Sequence, residues 1–216
     1  MKKIIIALLC LLLSACANVV DINNDLDKIF KDNSKSIHTS NNYSKYLEYY
    51  LPSDVYEVSS NETEFVFETA DCKLIMNINI SNIINMRFYK SQVLKDEGFF
   101  KDENKVYETR GEFSNPTNEP TAYFFKMYKH DDVYLLHLAT SELNLYGYAG
   151  KAESVLLAGK MFELAKACDV AKSDIVNDFS NKNVIDYTRK SIDLFKTYFP
   201  ESGRVDDLII EDSLVD

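Results

Sequence analysis

Apolar residues recur at helical spacing in three parts of the chain. Positions three and four residues apart lie on one face of a helix, so this spacing is typical of a helix with one buried side. It occurs in residues 22–30, 43–50 and 157–168. Two further helices are predicted, a short one at 174–179 and a longer one at 184–199. Asn183 is a plausible N-cap for the longer helix, and Pro200 ends it.

From residue 55 the apolar period changes to two, which is typical of half-buried strands. The alternation is clear at 64–69 and 74–80, and further strands are predicted at 106–113, 121–129 and 133–140. Short polar turns such as Ala70-Asp71 join neighbouring strands, so we expect them to pair antiparallel. Residues 81–104 are ambiguous, with 86–89 looking extended.

The order of these elements predicts the fold class. Helices flank a run of strands without alternating with them, which indicates an α+β fold. We expect an antiparallel meander sheet of five to six strands covered by N-terminal and C-terminal helices. Residues 16–216 are long enough for a single domain with a sizeable core. Within them, 204–216 is either a short edge strand or a loose acidic tail.

The first sixteen residues follow a different pattern. Lys2 and Lys3 precede ten apolar residues at 4–13, and the run ends in Leu13-Ser14-Ala15-Cys16. This segment resembles the signal sequence of bacterial lipoproteins, and its last four residues resemble their lipobox. Ten helical residues cover about 15 Å, roughly half of a hydrocarbon core, so a transmembrane anchor is not expected. The alternatives are an ordinary secretory signal with a chance cysteine, or a buried strand.

The resemblance has consequences for processing and location. It implies that residues 1–15 are a signal peptide, and that Cys16 becomes the acylated first residue of the mature protein. Two or more acyl chains hold a protein stably on a membrane. We therefore expect an extracytoplasmic protein, lipid-anchored to the cell membrane. In an organism with two membranes, Ala17 after the cysteine favours the outer one.

Charge narrows the choice of partners. The chain carries a net charge of −10, and removing the two leader lysines takes the mature part to −12. Such a surface disfavours nucleic acid and is repelled by anionic lipid headgroups. The acyl anchor on Cys16 is therefore expected to supply the membrane attraction.

Motifs that carry chemistry are missing from the sequence. Its three histidines are His38 in a polar loop, His130 in a turn and His137 on a strand. No serine lies in a Gly-x-Ser-x-Gly elbow, and no metal-binding spacing or phosphate loop is present. The sequence therefore predicts no catalytic residue, no metal site and no cofactor.

Two residue sets remain as candidates. Cys72 and Cys168 either form a disulfide or are two buried thiols, since both outcomes suit cysteines outside the cytoplasm. Tyrosines on the predicted helix at 43–50 either form a binding surface for a protein or peptide, or pack against the core. These tyrosines are Tyr43, Tyr46, Tyr49 and Tyr50.

The sequence favours a lipid-anchored cell-envelope protein that binds or scaffolds without catalysis, and its molecular role stays open. One alternative is an envelope hydrolase whose site is assembled only in three dimensions. The other is an immunity or inhibitor lipoprotein.

Overall fold

The computed structural model describes residues 21–33, 38–70, 72–90 and 102–180. The leader, Cys16, the predicted helix at 184–199 and the segment 204–216 lie outside these ranges. In the described part, no helix is both long enough and apolar enough to cross a membrane.

The described elements follow each other as one helix, five strands, a second helix, four strands, a third helix, one short strand and a fourth helix. The helices are α1 (Ile22–Asn33), α2 (Ile80–Tyr89), α3 (Lys151–Lys166) and α4 (Lys172–Phe179), with a 3₁₀ turn at Asp102–Asn104. The strands before α2 are β1 (Asn42–Tyr43), β2 (Leu47–Tyr49), β3 (Tyr56–Ser60), β4 (Glu64–Thr69) and β5 (Cys72–Ile78). The later strands are β6 (Lys105–Ser114), β7 (Pro120–His130), β8 (Val133–Thr140), β9 (Leu143–Gly150) and β10 (Asp169–Val170).

The main sheet has seven antiparallel strands in the order β3-β4-β5-β9-β8-β7-β6. It consists of two meanders, β3–β5 and β6–β9, which join where β5 pairs with β9. The predicted α+β class and antiparallel sheet are confirmed, and the sheet is wider than the five to six strands expected. A small second sheet has the order β1-β2-β10.

One face of the main sheet is covered by α3, and α1 packs on α3 in turn. The helix approaches the sheet closely at Gly147, where a β-carbon would lie 2.8 Å from Leu157 Cδ2. Beside this contact, Phe30 of α1 packs its ring against Phe125 and Phe162. Burial of large apolar side chains at this interface is the main stabilising contribution to the fold.

Two predicted elements are wrong. Residues 43–50 form β1, a turn and β2, although their apolar spacing is helical. Ser44 closes the turn by donating its backbone N–H to the Leu47 carbonyl at 2.8 Å, and β2 then pairs with β10, far away in the sequence. Residues 86–89, which look extended, form the last turn of α2.

Candidate functional site

Helix α2 begins and ends with well-defined caps. The Asn79 side chain accepts a hydrogen bond from the Asn82 backbone at 3.1 Å, the geometry of an N-cap. At the other end Lys90 adopts a left-handed conformation and donates its N–H to the Met86 carbonyl. Ile83 is buried on the core side of α2. Met86, Arg87 and Lys90 lie three, four and seven positions after it, on the same side of the helix towards its C-terminus.

Helix α4 packs against α2. Ile175 and Phe179 are its buried residues, at 0% and 7% exposure, and they lie four positions apart on one face. Lys172 and Ser173 in the first turn are exposed, and Val176 is partly buried. Lys172 and Ser173 therefore stand on the outer part of α4, next to α2.

A groove of about 640 Å³ lies between the two helices. This volume is within the range of small-molecule sites. Its described lining consists of Ile83, Met86, Arg87, Lys90, Glu142, Lys172, Ser173, Val176 and Asn177. We call its more buried apolar side chains, Ile83, Met86 and Val176, the floor, and its exposed charged side chains, Arg87, Lys90 and Lys172, the rim.

The cations around the groove differ in whether a carboxylate pairs with them. Lys172 Nζ lies 2.8 Å from Glu142 Oε1 and 3.5 Å from Glu119 Oε2. Burial lowers the pKa of Lys172, but the hydrogen bond to Glu142 and the two carboxylate charges outweigh it, so this pKa is raised. Arg87 and Lys90 form no ion pair with any residue in the described part of the chain. The groove therefore has one neutralised side and one cationic side.

His137 is not part of the groove. It lies on the sheet face opposite α3, because Leu136 and Leu138 on either side of it belong to the core. Its ring stacks on Tyr146 with centroids 4.6 Å apart and meets Phe124 edge-on at 5.1 Å. The histidine is 3% exposed, and its Nε2 lies 3.5 Å from Asn144 Oδ1.

The buried polar groups on this second face continue along the sheet. Lys126 pairs in register with His137 and is 4% exposed, and its ammonium lies 3.8 Å from an Asp102 oxygen. Asn77 is 1% exposed, and neither polar atom of its side chain has a hydrogen-bond partner among the described residues. This face is therefore more polar than the alternating strand pattern suggests.

The structure does not bring the four candidate tyrosines together on one exposed surface. Tyr46 and Tyr49 are buried, and they donate hydrogen bonds to Asp178 and Glu57 respectively. Tyr50 stacks on His38, with ring centroids 4.4 Å apart. Of the four, Tyr43 alone is largely exposed, at 68%. The turn between β1 and β2 separates side chains that a helix would have placed on one stripe.

Cys72 and Cys168 are both buried thiols in the structure, not joined by a disulfide. The Cys168 sulfur lies 3.8 Å from the sulfur of Met76. Burial raises the pKa of the Cys168 thiol, which makes the reactive thiolate form rarer. Across the described ranges, no three or more His, Cys, Asp or Glu side chains are grouped as metal ligands would be.

The described part of the chain is an α+β fold with a groove between α2 and α4 that is bordered by Arg87 and Lys90. No known protein-family model matches the chain, and no curated protein is significantly similar to it.

Sequence reasoning missed the groove because it missed α2. Ile80, Ile83 and Ile84 have helical spacing, and Asn79 before them is a good N-cap residue. These signals would have located α2. Its pairing with α4, some ninety residues later, has no local signal.

Proposed function

We propose that this protein is a lipid-anchored protein of the cell envelope whose domain binds a ligand or partner without catalysis. The observation that carries the anchoring is the lipobox sequence Leu13-Ser14-Ala15-Cys16 behind a basic, apolar leader. Its location is extracytoplasmic, with the acyl chains of Cys16 holding it on the membrane. In an organism with two membranes, the outer one is the favoured location.

The groove supports binding over hydrolysis. Ser173 is the one hydroxyl among the described lining residues, and no histidine is among them. Nucleophilic catalysis by a hydroxyl needs a base within hydrogen-bond reach. His137 lies on the second face of the sheet, away from α3, where it packs between aromatic rings. Catalysis would require a base to move next to Ser173, whereas binding requires no such movement.

The anchor is tested by replacing the acylated cysteine. The full chain and its Cys16→Ser variant are expressed in a bacterium fed with labelled palmitate, and membrane and soluble fractions are separated. The unmodified chain should incorporate label and sediment with membranes, whereas Cys16→Ser should lose the label.

Cys10→Ser is the matched control, because it removes the other leader cysteine and leaves the lipobox intact. It should behave like the unmodified chain. Label and membrane association that persist in Cys16→Ser would contradict the proposed anchor.

A further inference from the structure

We propose that the groove between α2 and α4 binds a small amphipathic anion. Its carboxylate or phosphate head would contact Arg87 and Lys90, and its apolar body would lie along Ile83, Met86 and Val176. This inference rests on the proposed binding function and names the chemistry of the ligand.

The two cations are the first argument. Arg87 and Lys90 are exposed on the rim, and in the described part of the chain no carboxylate pairs with either. The whole chain has a net charge of −10, and at this groove two cations stand one helical turn apart beside an apolar surface. A guanidinium offers a planar fork of donors that fits carboxylate or phosphate oxygens, and an ammonium adds a point charge.

A helix-stabilising role accounts for only part of this arrangement. Cations in the last turn of a helix interact favourably with its dipole, by about 0.3–1 kcal/mol. That effect explains a basic residue near the end of α2. It does not explain why the same residues border an apolar groove of ligand size.

The floor of the groove is the second argument. Ile83 is buried, and Met86 and Val176 are partly buried. Methionine adapts its shape to irregular apolar ligands, and branched side chains give a firm surface beside it. A short alkyl chain placed here removes apolar area from water on both sides, so the site favours a ligand with an apolar body over an inorganic ion.

The side of the groove formed by Glu142 and Lys172 determines the orientation of the ligand. Glu142 accepts from Lys172 at 2.8 Å, so that side presents a paired cation and a carboxylate. A second anionic group on that side would be repelled by the Glu142 carboxylate. The ligand that fits therefore has one anionic head, which points towards Arg87 and Lys90.

The test uses the full chain in nanodiscs made only of phosphatidylcholine, with empty nanodiscs as the baseline. Octanoate and octyl phosphate are the probes for the two head chemistries, and octanol is the uncharged probe of equal length. Isothermal titration should show one-to-one binding of at least one anionic probe. Arg87→Glu with Lys90→Glu should weaken that binding by about tenfold or more, because charge-assisted hydrogen bonds are lost.

The matched control reverses Lys28 and Lys129 to glutamate. Both lysines are exposed, and neither lines the groove, so this variant has the same net charge as the groove variant. It should bind the anionic probe like the unmodified chain. Arg87→Gln with Lys90→Gln is a milder second variant, and circular dichroism verifies that each protein is folded.

Three results would overturn the inference. These are no binding of either anion, equal binding of octanol, and equal weakening by the Lys28 and Lys129 control. None of them affects palmitate labelling of Cys16, so failure at the groove is distinguishable from failure of the proposed anchor. Binding of octanoate alone assigns a carboxylate ligand, and binding of octyl phosphate alone assigns a phosphate ester.

Discussion

Asn77 is a buried amide whose side chain makes no hydrogen bond within the part of the chain that the structure describes. It is 1% exposed and lies opposite Asn144 of β9 and Glu64 of β4. Leaving a buried polar group unsatisfied costs about 1–3 kcal/mol. We therefore expect the buried Asn77 side chain to lower the free energy of unfolding.

Replacing Asn77 by valine should stabilise the protein. Valine removes both unsatisfied atoms and has a higher preference for strands, so we expect the free energy of unfolding to rise by about 1 kcal/mol. Urea denaturation followed by circular dichroism measures the change.

Asn115→Val is the control of opposite sign. Asn115 is also buried, but its side-chain oxygen accepts from the Glu119 backbone at 2.7 Å. Losing that contact should lower stability. If Asn77→Val also destabilised the protein, Asn77 would have a partner that the geometry does not show.

The two sides of a strand were predictable where apolar and polar residues alternate strictly. Phe65 and Phe67 were expected on one face, and both are buried at 1% or less. Asn77 follows the same alternation as a polar residue and yet is buried. Alternation identifies the face of a side chain, whereas burial of that face depends on which other parts of the chain cover it.

At the scale of elements, α2 contributes most to the candidate site. Ile80, Ile83 and Ile84 join the core, and the side of α2 that carries Ile83, Met86, Arg87 and Lys90 forms one wall of the groove. The structure of the groove therefore depends on the caps that define where α2 begins and ends.

Asn79→Ala should destabilise the protein by about 1 kcal/mol, because the helix loses its N-cap acceptor. Thermal unfolding measures the change. Asn85→Ala is the matched control: Asn85 lies within α2, where alanine has the better helix propensity. It should leave stability unchanged or slightly higher. Equal losses in the two variants would argue against capping by Asn79.

The two elements that sequence reasoning got wrong have different physical causes. At 43–50, apolar spacing suits a helix, but β2 gains backbone hydrogen bonds from β10, more than a hundred residues later. At 86–89, aromatic residues favour a strand. The helix that begins after the N-cap Asn79 and buries the isoleucines upstream nevertheless continues to Tyr89. A tertiary contact therefore overrode local preference at 43–50, whereas at 86–89 the helix signals lie in the residues just before the segment.

At the scale of the whole molecule, the sheet is two meanders joined at β5 and β9. The hairpins were predictable, since neighbouring strands with short turns pair antiparallel. The join was not, because strands 65 to 75 positions apart pair there without any local signal. The groove was unpredictable for a related reason, since its walls come from separate parts of the chain.

Protection from hydrogen exchange should follow the sheet order. Strands β5 and β9 have a neighbour on each side, whereas β3 is an edge strand with all five residues exposed. Amides of β5 and β9 should exchange only on global unfolding, and those of β3 should exchange much faster. Exchange measured by mass spectrometry on peptides from these strands tests this. Equal protection of β3 and β5 would contradict the arrangement.

The join between β5 and β9 also has a consequence for synthesis. A chain made from its N-terminus completes the first meander while β9 has not yet been translated. Until then β5 presents an open edge containing Leu74, Ile75 and Met76, which can pair with another chain. We expect nascent chains stalled before residue 143 to aggregate. Once β9 is made and pairs with β5, the edge is covered and aggregation should stop.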